Sequence, residues 1–389
     1  MISQSDPASP ADAPAAVVPV MRPRLPTADR LLPYLRRIDA SRVYSNYGPL
    51  VLELEARLVD RFGLASGSVV TAGSGLSAIV GAILAKAGRA TQPRPLALLP
   101  AYTFVATAVA AEQCGYQPIL ADVDPRTWLL DPQRLSQHPD IDRIGLVLPV
   151  ATLGRAVPLA DWEDFQARTG IPVVIDGAAS FEQLSADPGR FTGRVPVALS
   201  FHATKSFGTG EGGCVISTDA PLMARVASVL NFALHTDRNC QMASTNGKMS
   251  EYHAAVGLAE LDGWQAKQQA VDRVCAVYRR EFARHGLAAQ LHTAPDIGSS
   301  YVLLLARDGA QAEACRAAMT AAGVDFRLWY GRGLHGQDYY AGLPRTDLGV
   351  TDDLAPRLLG LPFAPDLGEA EIIRVAQAIA AAIPPGPAP

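Results

Sequence analysis

The sequence predicts a two-domain α/β protein, with a large domain on a mostly parallel sheet covered on both faces and a smaller C-terminal α+β domain. Three observations carry this. Short, nearly continuous apolar runs alternate with stretches of helical spacing over most of the chain, the pattern of strands buried on both faces. The alternation gives way at a long helical region, "MSEYHAAVGLAELDGWQAKQQAVDRVCAVYRREFARHG". The length, 389 residues, with 49% hydrophobic and 19% charged residues, suffices for a large core and two domains.

In chain order, "YGPLVLELEARLVDRFG" (47–63) places Leu50, Leu54 and Leu58 on one stripe, an amphipathic helix closed by Gly63. The runs "SVVTAG", "LALLP", "PILADV", "IGLVLPV" and "IPVVIDGA", bounded by Pro, Gly or Asp, predict strands. Between them "SAIVGAILAKAG", "FVATAVAAEQCG" and "LADWEDFQARTG" suit helices. Beyond the long helical region, "SSYVLLLARD", "AQAEACRAAMTAAG" and "VDFRLWY" predict the small domain. The expected organisation is a flexible tail over 1–24, a large domain over 25–262 and a small domain over 263–389. The opening "MISQSDPASPADAPAAVVPV" lacks a basic segment and an uninterrupted apolar core, so it reads as a tail and not a signal peptide. The terminal "PPGPAP" reads the same way.

Composition excludes several functions. Net charge is -4 and no basic run marks a nucleic-acid or membrane surface. Apolar stretches are interrupted well short of a membrane span. Five scattered cysteines without C-x-x-C argue against a disulfide framework or zinc site and suit a reducing cytoplasm.

The segment "SFHATKSFGTGEGG" (200–213) concentrates the chemistry. Its Gly208, Gly210 and Gly213 satisfy G-x-G-x-x-G, but "CVISTD" follows, a strand where a dinucleotide site requires a helix N-terminus. A P-loop is excluded as well, because Lys205 precedes the glycines. Those glycines are expected to let the backbone pack closely as the chain enters its next strand. Lys205 lies between an aliphatic and aromatic run and a glycine-rich strand start, and confinement favours the neutral amine that Schiff-base chemistry requires. Asp176 ends "IPVVI", at the carboxyl end of a parallel strand, where it is either a helix cap or the partner of a protonated pyridine nitrogen. "TAGSGLSAI" (71–79) is a strand, a turn and a helix, either an ordinary capped turn or a phosphate cup at a helix N-terminus.

Taken together these segments resemble the DegT/DnrJ/EryC1/StrS aminotransferases, pyridoxal 5'-phosphate (PLP) enzymes with the aspartate aminotransferase fold (PLP-dependent transferase fold type I) that mostly aminate keto sugars attached to nucleotides. The matching stretches run in order: "YSNYGPLVLELEARLVDRFG", "LLPAYTFVATAVAAEQCGYQPILADVDPRTWLLDP", "VVIDGAAS", "SFHATKSFGTGEGGCVIST", "TNGKMSEYHAAVGLAEL", then "VDFRLWYGRGLH" with "LGLPFAPDL". The resemblance implies that Lys205 holds the cofactor and shuttles the proton, Asp176 meets the pyridine nitrogen and Phe104 stacks on the ring. It implies that Ser200 and the Ser74-Gly75-Leu76 turn bind the phosphate, and that Asn246 reaches the phosphate of a neighbouring subunit in a homodimer. From the residues alone, Phe104 reads rather as a core aromatic and Asn246 as a loop cap.

Four residues depart from the family's pattern. Leu76 stands where a Thr is usual, Ala179 where a Gln or His lies near the cofactor's phenolic oxygen, Ala151 where a His is common, and His202 where an aromatic is usual. The resemblance implies an amino-acid donor, glutamate by family habit, and a nucleotide-linked keto-deoxy sugar as acceptor. A non-sugar ketone, such as a cyclitol or natural-product intermediate, is the alternative, and a non-catalytic regulatory homologue a weaker one. Tyr102, His202, Arg327, Tyr330 and His335 are expected sugar contacts by position.

Overall fold

A computed structural model describes residues 17–234 and 238–383. The large domain carries strands β1 (Val69–Ala72), β2 (Leu96–Pro100), β3 (Gln117–Ala121), β4 (Ile144–Val147), β5 (Ile175–Asp176), β6 (Val197–Ser200) and β7 (Gly213–Ile216). Strand pairs join β3-β2-β4 and β5-β6-β7-β1, and parallel bridges Val147–Val173 and Val150–Asp176 connect the two groups into one sheet. Only β7 is antiparallel, wedged between β6 and β1. This is the strand that "CVISTD" predicts after the glycines.

Both faces are covered. The helix Gly75–Lys86 packs on β6 and β7 beneath the helix Ala220–Leu230, and every residue from Ala78 to Ala85 is buried, which explains its uniformly apolar sequence. On the other face the helices Pro49–Arg61 and Leu159–Thr169 contribute Leu50, Leu54, Leu58, Trp162 and Phe165 to a second core. Gly170, at φ +66°, ends the latter helix in the left-handed conformation glycine tolerates best.

The small domain holds an antiparallel sheet of β8 (Leu291–His292), β9 (Leu303–Leu305), β10 (Arg327–Leu328) and β11 (Leu358–Gly360) in the order β10-β11-β9-β8. Helices Gly309–Ala321 and Glu369–Ala382 pack beside it. The expected boundary at 263 falls inside one continuous helix, Glu251–Arg284. Its early turns, through Trp264, pack in the large-domain core, and from Val271 to Phe282 it packs in the small-domain core.

The N-terminal tail expected over 1–24 needs correction at its end. Val18 and Val20 are buried, Val18 bridges Val324 and Met21 bridges Phe363. The Phe363 N–H donates to the Val20 carbonyl at 3.0 Å. Alternating apolar side chains make this stretch an extended strap on the small domain. Residues 1–16 and the "PPGPAP" end lie outside the described residues.

Candidate active site

The turns after β1, β2, β5 and β6 carry the candidate residues to the carboxyl edge of the sheet, where ligands of open α/β sheets bind. At the first of these, Ser74 caps the helix Gly75–Lys86, its Oγ accepting the Ser77 N–H at 3.0 Å. A Cβ on Gly75 would lie 2.7 Å from Ser200 Cβ and 2.9 Å from Ser200 Oγ. The Ser200 hydroxyl thus faces the opening of this helix, where free N–H groups and the helix dipole favour an anion. Gly213 pairs with both Ala72 and Ser200. A Cβ there would lie 2.5 Å from the Leu199 carbonyl oxygen and 2.8 Å from that of Ser74. The glycine in the G-E-G-G tail therefore lets β7 seat directly behind the cup. Leu76 is half-buried and packs against the neighbouring core.

Asp176 is 4% exposed. Its Oδ2 accepts the Thr107 hydroxyl at 2.7 Å and its Oδ1 the Ala178 N–H at 3.1 Å. Burial pushes its pKa up, against the opposing pull of these two bonds and the Lys205 charge. The group is a desolvated carboxylate that a cationic partner would stabilise. Thr107 lies within "TFVAT", where nothing in the local pattern marks it as a partner of Asp176. It sits one turn beyond Phe104, in the helix Val105–Gln113, and also contacts the Thr103 hydroxyl at 2.9 Å. Ala151 supports the same strand end, its N–H donating to the Asp176 carbonyl at 2.8 Å.

The Lys205 ε-amine donates to the Tyr301 hydroxyl at 3.3 Å. Tyr301 belongs to the small domain and was missed in the sequence, where "SSYVLLLARD" reads simply as an apolar strand start. The next residue, Ser206, donates its N–H to Ser300 Oγ at 2.8 Å. Tyr330 adjoins the same cluster. It packs edge-on against Tyr102 with centroids 5.2 Å apart, and burial raises its phenol pKa, with Tyr301, Tyr102 and Asp176 adding to the rise.

The other expected residues separate. Phe104, at the N-cap of its helix, is 60% exposed, free to present its ring. Tyr102 is fully buried, with its hydroxyl on the Trp329 carbonyl at 3.3 Å. It supports Tyr330 from below, which corrects its expected role as a sugar contact. The His202 ring bonds the Thr204 hydroxyl at 2.7 Å and lies 3.7 Å from Glu211, at the rim of the lysine segment. Arg327 is exposed on β10 over the Trp329 ring, and His335 pairs with Asp352 at 2.8 Å. Neither has a contact with Lys205 or Asp176 among the described residues. Ala179 packs with Leu153, Tyr102 and Tyr301. Asn246 is exposed beside the turn of its own chain, where Gly73 donates to the Gly247 carbonyl at 2.7 Å.

These parts fit PLP. The cup between Gly75 and Ser200 suits a phosphate, Asp176 a protonated ring nitrogen, the exposed Phe104 ring a planar face, and Lys205 the carbonyl carbon. Comparison with known proteins identifies the family. The model of the DegT/DnrJ/EryC1/StrS aminotransferase family matches residues 27–380. Protein Rv3402c of Mycobacterium tuberculosis is 30% identical over 370 residues, 93% of this chain and 89% of that protein. The dTDP-4-amino-4,6-dideoxy-D-glucose transaminase of Shigella dysenteriae is 30% identical over 246 residues, 62% of this chain and 64% of that protein. The structure of DesI in the presence of its TDP-sugar product superposes with a TM-score of 0.81 at 29% identity, covering 96% of this chain and 94% of that one. With this coverage and this site, the chain belongs to the DegT/DnrJ/EryC1/StrS aminotransferase family and is a PLP-dependent aminotransferase of fold type I.

Proposed function

We propose that the enzyme moves an amino group from an amino acid, glutamate being the expected donor, to a keto sugar carried on a nucleotide, in two half-reactions of a ping-pong cycle. The convergence of Lys205, Asp176 and the Ser74–Ser200 cup on one edge of the sheet is the observation that carries this reading. The sugar class is supported by the relatives' substrates, which include dTDP- and UDP-linked sugars. PLP, when bound, supplies an electron sink for negative charge on the carbon bearing the amine.

The chain's own residues then do the following. Lys205 anchors the cofactor and, once released, takes and returns the proton at that carbon, a contribution of roughly 10²–10⁴-fold for a positioned base. Asp176, desolvated and steered by Thr107, keeps the ring nitrogen cationic. Ser74, Gly75 and Ser200 hold the phosphate, and Phe104 covers one face of the ring. Two chains form the working unit, with Asn246 reaching the partner's phosphate across a dimer interface.

Purified protein with PLP should be yellow, and borohydride should fix the cofactor on Lys205, located by peptide mass. Glutamate with a panel of nucleotide-linked keto sugars should give amino sugars. A colourless protein in the presence of excess PLP would overturn the assignment of the site. Turnover of cyclic ketones with none of any nucleotide sugar would overturn the acceptor class.

A further inference from the structure

We infer that Tyr301 is a positioning residue for Lys205, delivered by the small domain to hold the ε-amine at the place of proton transfer. The inference rests on the proposed role of Lys205 and adds the group that aims it.

The hydrogen bond that the ε-amine makes among the described residues is to Tyr301 Oη, at 3.3 Å. Tyr301 is 4% exposed, and its ring packs edge-on against Trp329 with centroids 4.9 Å apart. A phenol so confined has little freedom to point elsewhere. Its backbone is equally constrained. Tyr301 N–H donates to the Gly298 carbonyl at 3.1 Å, closing a turn, and Gly298 N–H donates to Leu153 in the large domain at 2.7 Å. A Cβ on Gly298 would lie 2.5 Å from the Ala179 carbonyl oxygen, so the turn sits directly on the loop that follows Asp176. Ser300 grips the Ser206 N–H. Two consecutive small-domain residues therefore engage two consecutive residues of the lysine segment.

The chemistry of the pair is simple. A phenol oxygen accepts from an ammonium, and its O–H donates to a neutral amine. The Tyr301 hydroxyl can therefore hold Lys205 in either protonation state, which a base that collects and returns one proton needs. The lysine side chain has four rotatable carbons and without such a partner samples many rotamers. Restricting it raises the fraction in reacting geometry.

Tyr301→Phe keeps the ring and removes only the hydroxyl. In the holoenzyme, kcat should fall roughly 10–100-fold, the range for a hydrogen bond to a charged group, with KM nearly unchanged. The isotope effect with α-deuterated donor should rise, because proton transfer becomes slower, and the melting temperature should stay close to wild type. A second readout needs no turnover. In cofactor-free protein, modification of Lys205 by trinitrobenzenesulfonate, followed by peptide mass, should be several-fold faster in the variant.

Unchanged kcat, isotope effect and Lys205 labelling in Tyr301→Phe would sink the inference. A fall in kcat accompanied by a matching fall in melting temperature, with labelling unchanged, would sink it too, by reducing Tyr301 to a packing residue. Wild-type protein that shows no absorbance change with any amino-acid donor would instead overturn the functional reading, and the labelling comparison would still decide the Tyr301 contact.

Discussion

The two ends of the active site are built from different material. The end proposed for the phosphate is mainly backbone: the N-terminus of one helix, the close approach of Gly75 to Ser200, and β7 pressed behind them through Gly213. The lysine end is made of side chains from separate segments, with Asp176 held by Thr107, and Lys205 held by Tyr301 from the small domain. Backbone sites need residues that stay out of the way, so they mark the sequence with glycine. Side-chain sites need partners brought together by tertiary packing, and they leave no contiguous mark.

The largest effect that could break this comparison is at the lysine end. Asp176→Ala removes the buried carboxylate proposed to pair with the ring nitrogen of PLP; loss of one partner of such a pair costs about 3–5 kcal/mol, so kcat should fall roughly 10²–10⁴-fold. Asp176→Asn should fall by a similar factor while keeping a bond to Thr107, and steady-state kinetics would show whether charge or shape matters. A variant of Asp176 with near wild-type turnover would remove the distinction between the two ends.

Gly213→Ala tests the phosphate end. A methyl group 2.5 Å from the Leu199 carbonyl oxygen has no room without moving β6 or the cup. Denaturant unfolding should show a loss of about 1–3 kcal/mol, the usual range for overpacking, together with weaker PLP binding by fluorescence titration. Unchanged stability and affinity would mean that the cup tolerates a side chain behind it.

The smallest effect sharpens the lysine end. Glu182 is 8% exposed, and neither carboxylate oxygen completes a hydrogen bond among the described residues. Burial raises its pKa above the usual 4.5, while the nearby Ser206 and Ser299 hydroxyls and the Lys267 charge pull the other way. A buried acid of this kind contributes stability below its unfolded pKa, and that stability is lost as pH rises toward the folded value. Glu182→Gln carries no charge to desolvate. It should therefore be more stable than wild type near pH 8 by on the order of 1 kcal/mol, with a higher melting temperature, and the difference should close below about pH 4.5. Equal melting curves across that range would show that Glu182 is satisfied by water.

Much of the large domain was legible because its strands and helices carry local signals. β1 through β4 lie within apolar runs bounded by Pro, Gly or Asp, and Gly63 and Gly170 close their helices at positive φ. The aspartate ends β5 and the Ser74 turn follows β1, whereas Lys205 lies in the connection between β6 and β7, marked by the glycines that lead into β7. Tyr102 misled, since its place before Phe104 put it near the site without revealing that its side chain enters the core. Val18 and Val20 were hidden by the Ala- and Pro-rich stretch before them, although their alternation is that of a strand with one buried face.

By itself the sequence determined the α/β class, the order of the elements, and the positions of Lys205, Asp176 and the glycine cup, because hydrophobic periodicity and glycine act over a few residues. Tertiary structure alone decided that the chain changes core within one unbroken helix between Trp264 and Val271. It also decided that Thr107 steers Asp176, 69 positions away, and that Tyr301 meets Lys205 across 96 positions. Contacts of that span depend on how layers pack, and no local spacing records them.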